Sequence, residues 1–440
     1  MLALWVTPRA LLILGIIALA LACSPGLGVL TSLASAGGIV LAAATLTDFA
    51  LGPRRSALAI ERRLPERHFA MRNAAELRYA ITNRSRVAIR VGIVERPVRT
   101  LFYVDDEAVA EVPARSRAIL SRCVIPIARG KDRLGELYVW YENSLGLLRR
   151  RMRVTLEQEI RVYPDLSAVE RYGRLDVRNR FVEAGLRRMR MLGTGTEFES
   201  LREYLPGDAF RSINWKATAR RGRLMVTQYE VERSQSVLLL LDCGRLMTPY
   251  VGDQRKLDYA VTAALSLASI AALASDRVGA VAFAREILTA RAPRSTAASL
   301  HELSEALYDL EPRFEEADYA RVLNFTGRQL RRRSLVVLLT DVVDPIAQSL
   351  VLAELATLTR KHLVVCLFMN DAAVTSALAA EPRTPLDAYR MDVALGLWHE
   401  RRMAAANLER RGTIVVDAPA RTLSVALIDE YLRIKQRGLL

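Results

Sequence analysis

The chain has 440 residues, which suits two or three domains, and its 51% hydrophobic content is ample for sizeable cores. Its formal net charge of +15 is uneven: residues 1–51 are balanced, residues 52–232 carry +13 and residues 233–440 carry +2. An acidic partner, nucleic acid or an anionic membrane would each suit the basic middle. Its cations are not clustered with aromatic residues as a nucleic-acid stacking platform requires, so no nucleic-acid partner is expected.

Two uncharged apolar segments open the chain, at residues 10–23 and 27–47. Each is close to the roughly 20 residues that span a bilayer, and the Pro25–Gly26 pair between them is a turn signal. We therefore expect a transmembrane helical hairpin over residues 1–51, which contacts membrane lipid. The first segment is short, so it either extends back over Leu2–Val6 or thins the bilayer locally.

The positive charges that flank this hairpin predict its orientation. Arg9 precedes it, several arginines lie in residues 54–67, and the loop between the helices has no Lys or Arg. By the positive-inside rule both ends face the cytoplasm, which predicts an inner-membrane protein with cytoplasmic soluble domains. A signal peptide with a lipoprotein-like Ala20–Cys23 box is the alternative, and the second apolar segment that follows at once disfavours it.

Residues 52–165 read as a small β-sandwich. Segments such as AELRYAITN and ELYVWYENS alternate apolar and polar residues, as half-buried strands do. Turn signals separate them at Asn83–Ser85 and Arg129–Asp132. About six to eight short strands in roughly a hundred residues are typical of an immunoglobulin-like sandwich.

The most informative segment is Thr196–Tyr229, TEFESLREYLPGDAFRSINWKATARRGRLMVTQY. It is too polar for a core helix and too aromatic for a linker. It resembles the GxEFxxLREYxxGDxxRxINWKxxAR signature of the bacterial domain of unknown function 58 family. The resemblance makes residues 166–235 a signature segment and implies a von Willebrand factor A-like domain after it.

Residues 236–440 alternate short apolar runs with amphipathic segments. This pattern predicts an α/β domain with a doubly wound, Rossmann-like parallel sheet and helices on both faces, in agreement with the resemblance. The predicted strands are 236–241, 278–284, 334–340, 362–369 and 413–416. The predicted helices are 255–274, 296–308, 316–332, 346–360, 385–411 and 421–436.

The resemblance also implies a metal site at the carboxyl ends of these strands. In von Willebrand factor A domains, an Asp-x-Ser-x-Ser triplet, a loop Thr and a later Asp bind a metal that is usually Mg²⁺. The matching positions here are Asp242, Thr296 and Asp341, but Gly244 and Leu246 replace the two serines. We therefore expect no tight Mg²⁺ site and no other cofactor. A salt bridge from Arg245 or a signature arginine to Asp242 is expected in place of the ion.

The signature segment has two interpretations. As a structural clamp, Arg202 or Arg211 pairs with Glu203 or Asp208, and Trp215 packs beneath. As a recognition surface, it presents polar groups around an aromatic anchor. The candidate binding residues are Glu203, Tyr204, Asp208, Arg211, Asn214, Trp215, Lys216 and Arg220.

Catalytic motifs are not found in the sequence. The four cysteines have no CxxC spacing, the four histidines are far apart, and no GxSxG elbow occurs. The expected function is a non-enzymatic membrane adaptor or scaffold. Family members commonly accompany MoxR-type AAA+ ATPases, so the resemblance implies such a partner. An enzyme acting on an acidic envelope precursor and a basic nucleic-acid-binding membrane protein are the alternatives.

Overall fold

The computed structural model describes residues 3–23, 28–64, 68–143, 145–166, 197–205, 208, 210, 213–230, 235–294, 297–341, 354–355, 357–370 and 372–439. The chain forms two compact units, Met1–Asp165 and Leu166–Leu440.

The first unit begins with a short strand and two apolar helices. Strand β1 (Ala3–Val6) leads directly into α1 (Pro8–Ala22), and α2 (Gly28–Leu51) follows. The proposed backward extension of the first apolar segment is wrong, because Ala3–Val6 pairs with a strand of the sandwich. Thr7 accepts a hydrogen bond from the Ala10 amide and caps α1, with Pro8 in the first turn.

Helix α2 is long and apolar enough to cross a membrane. It has 24 residues, and its most apolar 18-residue window has a mean hydropathy of 1.8 and is only 6% buried. Helix α1 is apolar but shorter, at 15 residues. One further helix, Lys256–Leu273, passes the same test of length and composition. It is 67% buried, as expected for the core helix of a soluble domain.

The rest of the first unit consists of two sheets that enclose one apolar core. One sheet has the order β1-β10-β9-β5-β7, with β3 beside β10, and the other has the order β2-β4-β8-β6. Alternate residues of these strands, such as Leu77, Tyr79 and Ile81, are buried between the sheets. The strands are β2 (Leu58–Arg63), β3 (His68–Ala70), β4 (Ala75–Asn83), β5 (Ile89–Glu95), β6 (Leu101–Tyr103), β7 (Ala108–Val112), β8 (Arg117–Pro126), β9 (Gly130–Asn143) and β10 (Leu148–Tyr163).

The second unit begins with a two-stranded ribbon and continues as an α/β sheet. The ribbon pairs β11 (Glu197–Glu203) with β12 (Met225–Glu230), and α3 (Trp215–Arg221) lies between them. The remaining elements are β13 (Ser236–Asp242), β14 (Tyr250–Val251), β15 (Gln254–Arg255), α4 (Lys256–Leu273), β16 (Arg277–Phe283), β17 (Ile287–Arg294), α5 (Ala297–Leu307), α6 (Tyr319–Gln329), β18 (Leu335–Leu339), β19 (Leu363–Asn370), α7 (Ala372–Ala379), α8 (Pro385–Arg410), β20 (Ile414–Pro419) and α9 (Leu423–Gln436).

The sheet of this unit has the strand order β17-β16-β13-β18-β19-β20. Five strands are parallel, and the edge strand β17 runs antiparallel to β16. Alternate residues of β13 enter different cores: Leu239 packs with residues of α4 and α9, and Leu240 packs with residues of α6 and α8. Helices therefore cover both faces.

The predicted mixture of helices and strands is confirmed, but in the second unit the prediction missed the ribbon strands β11 and β12 with α3, the short strands β14 and β15, the edge strand β17 and helix α7. Strand β17 was not predicted, because its sequence ILTARAPR carries two arginines and a proline and lies on an edge. Helix α7 was also not predicted. The predicted helix 346–360 lies mostly outside the described residues.

Candidate functional site

In the six-stranded sheet of the second unit, the direction in which successive strands are added reverses between β13 and β18. Such a switch point is the position where α/β sheets usually bind ligands. Asp242 ends β13, and Thr340 and Asp341 follow β18, so three of the polar residues at this switch point come from adjacent strands. The sequence placed Asp242 and Asp341 here correctly. The third predicted metal ligand, Thr296, lies outside the described residues.

Asp242 is completely buried, and one of its carboxylate oxygens forms a triangle with the hydroxyl oxygens of Tyr319 and Thr340, which we call the Asp242 triangle. Its Oδ2 atom accepts hydrogen bonds from the hydroxyls of Tyr319 and Thr340, each at 2.7 Å, and those two hydroxyls lie 3.0 Å apart. Its Oδ1 atom accepts from the Gly244 amide at 2.7 Å. The expected salt bridge from Arg245 is wrong, because Arg245 pairs with Glu316 instead.

The Asp242 triangle favours a neutral carboxyl group. Burial is the largest influence and raises the pKa of Asp242, although hydrogen bonds from Tyr319, Gly244 and Thr340 oppose the rise. The triangle has three oxygen–oxygen contacts, and each hydrogen bond in it needs one proton. When the carboxyl is ionised, the two hydroxyl protons make only two of these contacts hydrogen bonds. A proton on Asp242 supplies the third, so all three contacts become hydrogen bonds.

We expect Asp242→Asn to be tolerated, because its amide oxygen can accept from the Gly244 amide while its NH2 group donates to the hydroxyls of Tyr319 and Thr340. Asp242→Ala should cost about 1–3 kcal/mol, because it leaves all three groups without this partner. The folded pKa of Asp242 is raised, so its protonation stabilises the fold below the ordinary carboxyl pKa. This contribution is lost as the pH rises through the folded pKa. The melting temperature of the Asp242→Asn variant should therefore rise relative to that of wild type as the pH rises. The measurement is thermal unfolding of the full chain in micelles. A constant difference between the two proteins across pH would contradict a neutral Asp242.

Asp341 is also buried, but two cations neutralise it. Its Oδ2 atom lies 2.5 Å from the Lys256 ammonium at the start of α4, and its Oδ1 atom lies 3.1 Å from Arg401 of α8. Arg401 also binds Asp417 of β20, at 2.9 Å. Both carboxylate oxygens that a metal would need are thus occupied by side chains of the same unit.

The geometry at Gly244 also disfavours the serine that the metal-binding triplet has there. A Cβ atom added at Gly244 would lie 3.1 Å from Asp242 Oδ1 and 3.0 Å from the Glu315 carbonyl, so a serine there is crowded. Sequence reasoning missed Lys256, Tyr319 and Arg401, because their contacts with Asp242 and Asp341 depend on the fold.

The signature segment is held together by its own side chains. Arg202 binds Asp208 through two hydrogen bonds of 2.7 and 2.6 Å, and Asp208 also accepts from the Leu205 amide. The hydrogen bonds from Arg202 hold the pKa of Asp208 below its ordinary value. Asn214 caps α3 by accepting from the Ala217 amide at 3.0 Å.

These contacts contain the expected clamp pair, Arg202 with Asp208, and identify Asn214 as a structural residue. Glu203 forms an exposed ion pair with Arg223 at 2.9 Å, and the Tyr204 ring lies 6.0 Å from that of Phe210. Arg211 lies outside the described residues.

The expected burial of Trp215 is wrong, because its side chain is 66% exposed. Among the residues of the ribbon and its neighbours whose burial is described, Ile213, Met225 and Val226 are buried. Trp215 begins α3, which has no buried residue. It therefore cannot be the packed centre of a clamp.

The exposed apolar and basic side chains in and around α3 define a surface that we call the α3 surface. Its apolar members Leu205, Phe210, Trp215 and Leu224 are all exposed, with Phe210 at 74%. Its cations Lys216, Arg220 and Arg221 are exposed and have no acidic partner among the described residues. The α3 surface is thus defined by Leu205, Phe210, Trp215, Lys216, Arg220, Arg221 and Leu224.

Comparison with known families confirms the resemblance that the signature predicts. Residues 200–376 match the family described as "Protein of unknown function DUF58". The matched range begins in β11, includes the α3 surface from Leu205 onward, and contains Asp242 and Asp341.

The curated relatives are themselves uncharacterized. YeaD of Bacillus subtilis is 30% identical over 118 residues, 26% of this chain and 29% of the relative. Rv1480 of Mycobacterium tuberculosis is 26% identical over 156 residues, 35% of this chain and 49% of the relative. The chain thus spans between about a third and a half of the length of these relatives. Among solved structures, the conserved hypothetical protein BatB of Bacteroides thetaiotaomicron is 14% identical, with a TM-score of 0.31, covering 47% of this chain and all of its own.

Proposed function

We propose that this chain, whose residues 200–376 match the DUF58 family, is a non-enzymatic adaptor of the inner membrane. It would present a von Willebrand factor A-like domain in the cytoplasm to a MoxR-type AAA+ ATPase or to the clients of that ATPase. The fold assignment is supported by a parallel sheet that has helices on both faces, one antiparallel edge strand and an aspartate at each side of the switch point.

The observation that carries the adaptor proposal is the α3 surface. A rigid element with exposed aromatic and cationic side chains has the composition of protein-binding hot spots, where Trp, Tyr and Arg are enriched. Its backbone is fixed by the Arg202–Asp208 pair and the Asn214 cap, so little conformational entropy is lost when a partner binds.

Membrane attachment is supported by helix α2, which is long, apolar and almost entirely exposed in the first unit. Arg9 in the first turn of α1 and Arg54 and Arg55 after α2 agree with cytoplasmic ends. This pattern of flanking charges supports the proposal that both ends of the hairpin face the cytoplasm.

The adaptor proposal is tested by affinity purification of the full chain from solubilised membranes, with the bound proteins identified by mass spectrometry. We expect the chain in the membrane fraction and an AAA+ ATPase in the eluate. Recovery of the chain from the soluble fraction would contradict the membrane attachment. Co-purifying nucleic acid, or turnover of an acidic envelope precursor by the pure chain, would support one of the two alternatives instead.

A further inference from the structure

The base of the helical hairpin is tied to the sandwich of the first unit. Asp48, in the last turn of α2, accepts hydrogen bonds from the amides of Leu147 and Leu148 at 3.2 and 2.8 Å. The Arg150 guanidinium donates to the Gly52 carbonyl just after α2, at 2.9 Å. At its other end the hairpin joins β1 through a single residue. The β1–β10 edge of the sandwich is therefore fixed at the end of both helices.

Strand β1 exposes apolar side chains on both of its faces. Leu4, Trp5 and Val6 are 45%, 54% and 51% exposed, although successive strand residues point to opposite sides. An edge strand of this kind in water is an aggregation site. Helix α1 rises only about 22 Å, less than the ~30 Å of a hydrocarbon core. Strand β1, which precedes the N-terminus of α1, adds apolar length to this short helix if the strand lies in the bilayer interface.

Three exposed arginines surround the same end of the hairpin. Arg9 lies in the first turn of α1, Arg54 follows α2, and Arg151 lies in β10. None of the three has an acidic partner among the described residues. The Arg151 guanidinium lies 4.4 Å from the centre of the Trp5 ring. Tryptophan is enriched at membrane–water interfaces, and arginines near the membrane surface are attracted to anionic lipids.

We propose that Trp5, Arg9, Arg54 and Arg151 form a collar that lies in the bilayer interface and binds the phosphates of anionic phospholipids. This inference rests on the membrane attachment proposed above. It adds a lipid-binding site to the first unit and makes the sandwich edge, as well as the helices, part of the membrane anchor.

The collar is tested by native mass spectrometry of the full chain released from micelles, titrated with phosphatidylglycerol or phosphatidylcholine. Wild type should retain phosphatidylglycerol in preference to phosphatidylcholine. The triple variant Arg9→Gln, Arg54→Gln, Arg151→Gln should bind it about fivefold more weakly per arginine, and so on the order of 100-fold more weakly in total. A control triple variant, Arg78→Gln, Arg96→Gln, Arg133→Gln, removes exposed arginines elsewhere on the same sandwich and should bind as wild type does.

Four outcomes would overturn the collar. Equal retention of the two lipids by wild type would show that the anionic headgroup is not recognised. An equal loss of phosphatidylglycerol binding in the two triple variants would show that only the net charge matters. Displacement of the lipid by inorganic phosphate would show that the arginines bind a free anion and not a lipid headgroup in particular. A dimer that only the collar variant loses would assign the face to a second copy of the chain. In each of these cases membrane fractionation still decides separately whether the proposed attachment holds.

Discussion

Asp341→Ala should lower the stability of the second unit by about 3–5 kcal/mol, because it leaves the nearly buried Lys256 without its partner and leaves Arg401 with only the half-exposed Asp417. The side chain of Asp341 is only 3% exposed, and those of Lys256 and Arg401 are 16% and 11% exposed. Lys256→Met should cost less, since Asp341 then keeps Arg401. The measurement is thermal unfolding of the full-length variants in micelles.

The matched control for this prediction lies at the same edge. Glu316→Gln removes the partner of Arg245 in an ion pair whose side chains are 64% and 45% exposed, and should change stability by less than about 1 kcal/mol. We also expect Mg²⁺ to leave the melting temperature of wild type unchanged. Stabilisation by Mg²⁺ that Asp341→Ala abolishes would show that the edge is a metal site after all.

The two aspartates at the switch point have therefore been satisfied in different ways. Asp242 is surrounded by hydroxyl groups and burial raises its pKa, whereas Asp341 is neutralised by cations from α4 and α8. A divalent ion would have to displace Lys256 from Asp341 and break the hydrogen bonds of Asp242, and both changes cost free energy.

The positions of Asp242 and Asp341 could be predicted because each follows an unbroken apolar run, and parallel strands end at one edge of a sheet. Their partners could not. Lys256 lies 85 residues from Asp341 and Arg401 lies 60 residues away, and no local pattern specifies such contacts. The same holds for Tyr319, whose position in α6 reads as an ordinary core aromatic.

The errors at β1 and Trp215 have a common cause, since in both places apolar side chains are exposed. Leu4, Trp5 and Val6 read as the start of a membrane helix, although Thr7 followed by Pro8 is a helix-start signal that excludes them. Trp215 read as a buried residue because large aromatics usually are. In the structure the ribbon backbone brings Met225 and Val226 under the segment instead.

The double variant Phe210→Ala, Trp215→Ala should abolish recovery of the partner from membranes while the chain still folds. Both side chains are mostly exposed, so their removal leaves no cavity and should change the melting temperature little. Each aromatic hot-spot residue contributes about 2 kcal/mol or more to binding, so together they amount to roughly a 1000-fold loss of affinity.

The control for this prediction removes one aromatic and one aliphatic side chain elsewhere in the second unit. Phe314 and Leu273 are 86% and 72% exposed, so Phe314→Ala, Leu273→Ala matches the apolar area without touching the α3 surface. Partner recovery and thermal unfolding are measured on both double variants. Loss of recovery in the control alone would move the docking site away from α3, toward the edge where Phe314 precedes Glu315 and Glu316. A large fall in melting temperature for Phe210→Ala, Trp215→Ala would instead restore the clamp interpretation, because only packed side chains stabilise the fold to that extent.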